Sequence, residues 1–185
     1  MISKILKATK EQLNSIEFDS YRDSFLKKGY PNNWFFMEAG EEHYRLLAYI
    51  GSLYKSKTLL DIGSYQGNSA IALAHTGNKI ISYDLASQPI ISKIKNDNIS
   101  FEIGNILDNN DLILSSPFIM LDTYHDGTFE QEFVDHLIKI NYKGLVMFDD
   151  IHLNKEMSNF WNGLKNEKYD LTHIGHHSGT GIAIF

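Results

Sequence analysis

Leu59-Leu60-Asp61-Ile62-Gly63-Ser64-Tyr65-Gln66-Gly67-Asn68-Ser69-Ala70-Ile71-Ala72-Leu73-Ala74 reads as a strand, a tight turn and a helix in immediate succession. Gly63 and Gly67 let the backbone turn sharply and come close to a ligand. A helix that starts directly after them directs its free N–H groups at the same place. Asp61, at the strand end, can accept hydrogen bonds from the loop or from a ligand ammonium group. A strand feeding a helix through such a turn is one unit of an α/β sheet, and the rest of the chain repeats the alternation.

Apolar, β-rich runs recur at residues 58–62, 79–83, 99–103, 118–121 and 144–148. Continuous apolar runs of this length read as buried parallel strands covered by helices on both faces. Helical stripes lie between and around them. Leu46, Leu47, Ile50, Leu53 and Tyr54 share one face before the first strand. Phe133, Val134, Leu137 and Ile138 share another, and Met157, Phe160, Trp161 and Leu164 a third within residues 154–165. Residues 169–175 and 180–185 are strand-like and are joined too tightly for a crossover helix, so they predict a hairpin. The fold class is thus α/β, a doubly wound and mostly parallel sheet with a C-terminal antiparallel hairpin strand. Residues 41–185 form this domain. Residues 1–40 form a helical and aromatic extension, with helix-like pieces at 11–18 and 21–28, packed on the core at its lid or substrate side. Within it, Trp34, Phe35, Phe36 and Met37 read more simply as packing than as a lid.

The 185 residues suffice for one domain with its own core. Acidic residues outnumber basic ones 23 to 17, for a net charge of -6. With the lysines scattered, nucleic acid is disfavoured and a small-molecule substrate is favoured. There are no cysteines, which excludes disulfides, thiolate metal sites and a cysteine nucleophile. No apolar run reaches the ~18 residues of a membrane span, and no signal-peptide core follows Met1. The expectation is a cytoplasmic protein without a membrane partner; a homodimer is compatible with it.

Twenty-one residues after Gly63, Asp84 follows the second strand, where a carboxylate can accept both hydroxyls of a ribose. Together the turn and this acid point to a nucleoside ligand. The dinucleotide fingerprint needs a third glycine, and Ser69 leaves the turn without one, so an NAD-dependent oxidoreductase is the weaker reading. The stretch Leu60-Asp61-Ile62-Gly63-Ser64-Tyr65-Gln66-Gly67-Asn68-Ser69 resembles the first motif of class I, Rossmann-like S-adenosylmethionine (SAM)-dependent methyltransferases, in particular the small-molecule O-methyltransferase branch. The resemblance implies that Asp61, Gly63, Ser64, Tyr65, Gly67 and Ser69 surround the methionine end of SAM. It further implies that Asp84 holds the ribose and that Asn105, in Gly104-Asn105-Ile106, lies by the adenine.

Two further segments, Leu121-Asp122-Thr123-Tyr124-His125-Asp126 and Phe148-Asp149-Asp150-Ile151-His152, follow the fourth and fifth strands. In an open α/β sheet such strand ends converge on one crevice. Asp122, also a cofactor neighbour, resembles with Asp149 and Asp150 the acidic positions that hold a magnesium-type ion in catechol-type relatives, and three oxygen ligands with room for water suit Mg2+, Ca2+ or Mn2+. The competing reading is that Asp149 or Asp150 caps a helix beginning near Asn154. Without a metal, His125 is the candidate base, with Asp122 beside it and His152 a weaker alternative. The adjacent pair His176-His177 reads as a turn with no ligand role, since neighbours on a strand face opposite ways. The function expected from the resemblance is methyl transfer to a small-molecule or sugar-like acceptor, at oxygen. A non-catalytic adenosyl-cofactor-binding protein of the same fold is the alternative.

Overall fold

The structure, a computed structural model, describes residues 1–18, Tyr21 and residues 33–185. Among these residues seven strands form one sheet: β1 (Thr58–Ile62), β2 (Lys79–Asp84), β3 (Ile99–Ile103), β4 (Phe118–Leu121), β5 (Leu145–Asp149), β6 (Lys168–Asp170) and β7 (Thr180–Ile184). Their spatial order is β3-β2-β1-β4-β5-β7-β6. All neighbours are parallel from β3 through β5, and β7 runs antiparallel to both β5 and β6. This is the doubly wound, Rossmann-like sheet that the alternation predicts, with its antiparallel strand inserted next to the edge.

Alternating residues of the central strands feed two cores, one on each face of the sheet. Leu59, Ile80, Phe118, Met120, Leu145, Met147 and Ile182 pack with α1 (Ile2–Ile5), α2 (Lys10–Asn14), α3 (Tyr44–Leu53) and α4 (Asn68–Ala74). Leu60, Ile119, Leu121, Val146, Phe148 and Ala183 pack with α5 (Asn110–Ser115), α6 (Thr128–Lys139) and α7 (Lys155–Gly163). Because both faces are covered, these strands carry no polar alternation. The N-terminal segment joins the first core through Ile5, Leu13, Phe18 and Phe35. The expected helix at 21–28 lies outside the described residues, apart from Tyr21. No helix among the described residues is long and apolar enough to cross a membrane.

Three local expectations are corrected. Residues 99–103 are a strand, yet an edge strand, with Ser100, Glu102 and Ile103 exposed. Ile138 points to solvent, 60% exposed, because the buried stripe of α6 runs through Glu130, Phe133, Val134 and Leu137. The strand expected at 169–175 ends at Asp170, whose carboxylate accepts hydrogen bonds from Thr172 N (2.9 Å) and Thr172 Oγ1 (2.5 Å) and so folds the chain into a turn. The link to β7 is therefore a folded loop.

The order of strands reverses direction between β1 and β4, and there the C-terminal strand ends open a crevice. Gly63 and Asp122 meet across it. The Asp122 amide donates to Ile62 O at 2.9 Å, and a Cβ on Gly63 would lie 1.5 Å from Asp122 O.

Candidate active site

The crevice is a cavity of about 610 Å³ that runs from the Gly63 turn to the ends of β4 and β5. Of the residues singled out in the sequence, Gly63, Tyr65, Asp84, Asn105, Asp122, His125, Asp149 and Asp150 line it. The chain reaches it by distinct local devices. Gly63 takes φ +96° and Tyr65 φ +39°, which turns the chain over the end of β1. The Asp84 carboxylate accepts from Tyr65 N (2.9 Å) and Ala86 N (3.2 Å), so it braces the glycine turn while each oxygen keeps a lone pair for a ligand hydroxyl. Asn105 Oδ1 accepts from Leu107 N at 3.0 Å and so fixes the loop after β3.

Four residues assigned to the cofactor do not line the cavity. Asp61, Ser64, Gly67 and Ser69 are buried. Ser82 Oγ donates to Asp61 Oδ2 at 2.5 Å and shares a 2.7 Å hydrogen bond with Ser64 Oγ, so Asp61 and Ser64 tie the glycine turn to β2. A Cβ on Gly67 would meet Ile94 Cδ1 at 2.5 Å, so its lack of a side chain serves packing at the start of α4. Their part is to shape the turn on which Gly63 and Tyr65 face the cavity.

Burial pushes the Asp61 carboxyl up to about 7, against hydrogen bonds from Ser82 and Ser69. An unfolded aspartate titrates near 4. As pH rises from about 4 to about 7 the unfolded chain ionises while the folded chain keeps its proton, so the contribution of this group to stability is full below that window and lost above it. Asp61→Asn cannot ionise and keeps an oxygen for Ser82. Denaturant unfolding of the variant is expected to lose that downward slope, and an unchanged slope would place the proton elsewhere.

At the other end of the cavity, His125 adopts a left-handed φ of +56°. Both sides of its peptide are anchored. Its N–H donates to Glu130 Oε1 (3.2 Å), a buried acid of α6 that also accepts from Thr123 Oγ1 (2.7 Å), and its carbonyl accepts from Asn154 Nδ2 (2.7 Å). Asn154 is also the cap of α7, with Oδ1 accepting from Met157 N at 2.8 Å. The cap is thus Asn154, while Asp149 and Asp150 face the cavity. Asn154→Ala removes cap and anchor together. It is expected to cost about 1 kcal/mol of stability in chemical denaturation, with a further loss of any activity that depends on His125.

The His125 imidazole stands with Nε2 3.0 Å from Asp122 Oδ1 and Nδ1 3.5 Å from Asp150 Oδ2. Glu42 and His43, which the sequence reading passed over, and His176, which it gave no ligand role, join it. His43 Nδ1 lies 3.1 Å from Asp149 Oδ1 and 3.1 Å from Glu42 Oε1. His176 Nδ1 lies 3.0 Å from Asp150 Oδ1 and 3.5 Å from Asp149 Oδ1, and Ser178 Oγ donates to Asp150. The turn reading of His176-His177 is half right: the segment is a turn, and that is why it swings His176 into the cavity. His152 instead pairs with Asp170 at the surface and does not line the site. The aromatic cluster also divides, with Phe35 fully buried and Trp34 lining the cavity mouth.

Charges alternate here, and each shifts the next. Burial opposes the charge on His43, His125 and His176, but facing carboxylates outweigh it and raise them to about 9, about 9 and about 10. Burial likewise opposes the Asp149 charge, and His43 and His176 nevertheless hold it well below the usual carboxylate range. Asp122 is pushed up by burial and by repulsion from Asp149. The carboxylates and imidazoles offer oxygen and nitrogen donors for a cation and a base beside the same space.

No protein-family model matches the sequence, and no curated protein matches it. Solved structures do match. The chain is similar to the SAH-bound methyltransferase PaMTH1 of Podospora anserina, at 16% identity and TM-score 0.64 over 90% of this chain and 88% of that one. It is similar to an O-methyltransferase from Bacillus cereus in complex with SAH, at 15% identity and TM-score 0.60 over the whole of both chains. It also resembles TomG of Streptomyces achromogenes, an O-methyltransferase involved in tomaymycin synthesis and solved with SAM, at 12% identity and TM-score 0.55 over 99% and 94%. The chain shares the fold of these solved methyltransferases.

Proposed function

We propose that the protein is a SAM-dependent methyltransferase that methylates a hydroxyl oxygen of a small-molecule or sugar-like acceptor. One observation carries this reading: a single cavity joins the glycine turn and Asp84 at one end to the His125 and Asp122 pair at the other. The first end has the parts a nucleoside needs, namely close backbone approach at Gly63, carboxylate oxygens at Asp84 and an amide at Asn105. The second has a base within reach of a hydroxyl placed beside it. Similarity of fold to chains solved with SAM or SAH supports the choice of nucleoside.

The sulfonium of SAM makes its methyl group an electrophile, so the protein mainly aligns the acceptor in line with it and excludes water. Because burial is outweighed by the facing carboxylates, which raise His125 to about 9, the neutral fraction that takes the acceptor proton grows as pH rises toward that value, while Asp122 stabilises the imidazolium that forms. The acceptor oxygen then attacks the methyl carbon, the carbon–sulfur bond breaks, and SAH leaves. Of the three acids that would hold a magnesium-type ion, Asp122 and Asp149 come together with His43, and Asp149 and Asp150 with His125, so an imidazole stands beside each pair. Such an ion supplies Lewis-acid polarisation of the acceptor oxygen when bound. The reading keeps the protein a small-molecule enzyme with neither nucleic acid nor a membrane as partner.

Calorimetric titration with SAM, SAH and NAD, followed by a screen of phenolic and sugar hydroxyls for methyl release, tests the reading. SAH is expected to bind and NAD to fail. Tighter NAD binding would replace the reading with an oxidoreductase, and SAH binding without turnover on any acceptor would favour a cofactor-binding protein. Asp84→Ala removes both the ribose acceptors and the brace on Tyr65. It is expected to weaken SAH at least about tenfold, or about 1.4 kcal/mol; unchanged affinity would remove Asp84 from the ligand site.

A further inference from the structure

We infer that Tyr44 holds the amino-acid end of the cofactor, its hydroxyl donating a hydrogen bond to the methionine carboxylate of SAM or the matching carboxylate of SAH. The inference rests on the methyltransferase reading and adds to it a residue from outside the glycine motif.

The motif leaves a gap at that end. Asp61, Ser64 and Ser69 carry the polar side chains expected there, but all three are buried and none lines the cavity. Asp61 and Ser64 are engaged with Ser82, and Ser69 with Asp61. A carboxylate needs donors, and among the described residues no lysine or arginine lines the cavity. Each imidazole there is already matched to an acid: His43 lies 3.1 Å from Asp149, His125 3.0 Å from Asp122 and His176 3.0 Å from Asp150. Thr123 Oγ1 donates to Glu130. The other hydroxyls of the lining belong to tyrosines. Tyr65 and Tyr124 are more than half exposed, and Tyr83 immediately precedes Asp84 at the ribose end. Tyr44, 9% exposed, is the buried one.

The fold brings it to the motif. Gly51 lets α3 approach α4 so closely that a Cβ there would lie 2.6 Å from Leu73 O. At the starts of these two helices the Tyr44 hydroxyl shares a hydrogen bond with the buried side chain of Asn68. Asn68 stands between Gly67 and Ser69, so a hydroxyl from another helix takes the place of the withdrawn motif side chains. The rings of His43 and Phe35, with centroids 4.6 and 5.8 Å from that of Tyr44, pack around the phenol and fix it.

Chemistry then selects the carboxylate. An ammonium group only donates, so it turns to the acids of the cavity, whereas a carboxylate only accepts. The bond with Asn68 favours the ionised phenol, so the amide is its donor and the Tyr44 O–H is left for a ligand. Burial, and after it the charges of Glu42 and Asp122, hold the phenol well above its usual range, which keeps it a donor. A hydrogen bond in such a low-dielectric place is stronger than the same bond in water.

The test is calorimetric titration of the full chain with SAH and with decarboxylated SAH, which keeps the adenosine, the sulfur and the ammonium group. Wild type is expected to bind SAH at least about tenfold tighter, the scale of one hydrogen bond to a charged group. Tyr44→Phe keeps the ring between Phe35 and His43 and removes only the hydroxyl. It should weaken SAH about tenfold and leave decarboxylated SAH within about twofold. Equal losses for both ligands would make Tyr44 a packing residue, and unchanged SAH affinity would remove it from the site; either overturns the proposal. A wild type that binds both ligands alike also overturns it, whether or not Tyr44→Phe folds, and leaves the methyltransferase reading standing. A wild type that binds neither loses that reading, and this proposal with it.

Discussion

Gly63→Ala is expected to abolish measurable SAH binding and to lower the melting temperature sharply. The substitution places a methyl carbon 1.5 Å from the Asp122 carbonyl oxygen, less than half a normal contact distance. That oxygen is not the end of a flexible side chain. It belongs to a backbone held by the Asp122 N–H to Ile62 O hydrogen bond at 2.9 Å, at the junction of β1 and β4. Relief therefore requires the two strand ends to separate, or the glycine turn to leave its left-handed φ of +96°. Either movement displaces Tyr65 from Asp84 and Asp122 from His125. A loss of about 3 kcal/mol or more in stability is the scale for overpacking added to backbone strain.

Gly77→Ala separates conformational strain from collision. Gly77 also has a positive φ, +86°, but a Cβ there meets nothing within 4 Å. It should cost about 1 kcal/mol from the left-handed backbone alone and leave SAH affinity unchanged. Calorimetric titration and thermal melts of both variants settle the point. Wild-type affinity in Gly63→Ala would mean that the ligand does not use this crevice.

The glycine turn was readable because it is local: a strand, two glycines and a helix fall within sixteen consecutive residues, and the conformations they require follow from residue type. The same holds for residues 58–62, 99–103 and 118–121, which match β1, β3 and β4. Burial was less legible. Apolar runs alike in sequence became a central strand in β4 and an exposed edge in β3, because position in the sheet is set by pairing between distant segments. The acidic end of the site shows this most clearly. His43 precedes α3, and His176 follows β6 by six residues, so no spacing rule links either to Asp149. The rule that strand neighbours face opposite ways set His176 aside, and it failed because Asp170 stops the strand and a turn follows. Glu130 and Asn154 left a fainter trace. An acid on the apolar stripe of α6 and an asparagine just before a helix were both visible, but their shared target, the His125 peptide, depends on a left-handed residue that no pattern announces.

That anchored peptide sets the second large expectation. His125→Ala should lower methyl transfer to a hydroxyl acceptor by about 10²- to 10⁴-fold, the usual contribution of a positioned base, while SAH affinity stays within about threefold. The separation follows from geometry. The His125 imidazole faces Asp122 and Asp150, whereas the nucleoside groups are the Gly63 backbone and the Asp84 carboxylate that braces Tyr65. The backbone supports at residue 125 come from Glu130 and Asn154, so removing the imidazole leaves the loop tied down. His125→Asn is the companion variant, since asparagine tolerates the left-handed φ and keeps polarity without a basic nitrogen. Equal losses in both variants, at constant SAH affinity, would assign the effect to proton transfer. Recovery in His125→Asn would instead make the histidine a positioning group, and turnover unchanged in both would move the base elsewhere in the acidic cluster, to His43 or His176.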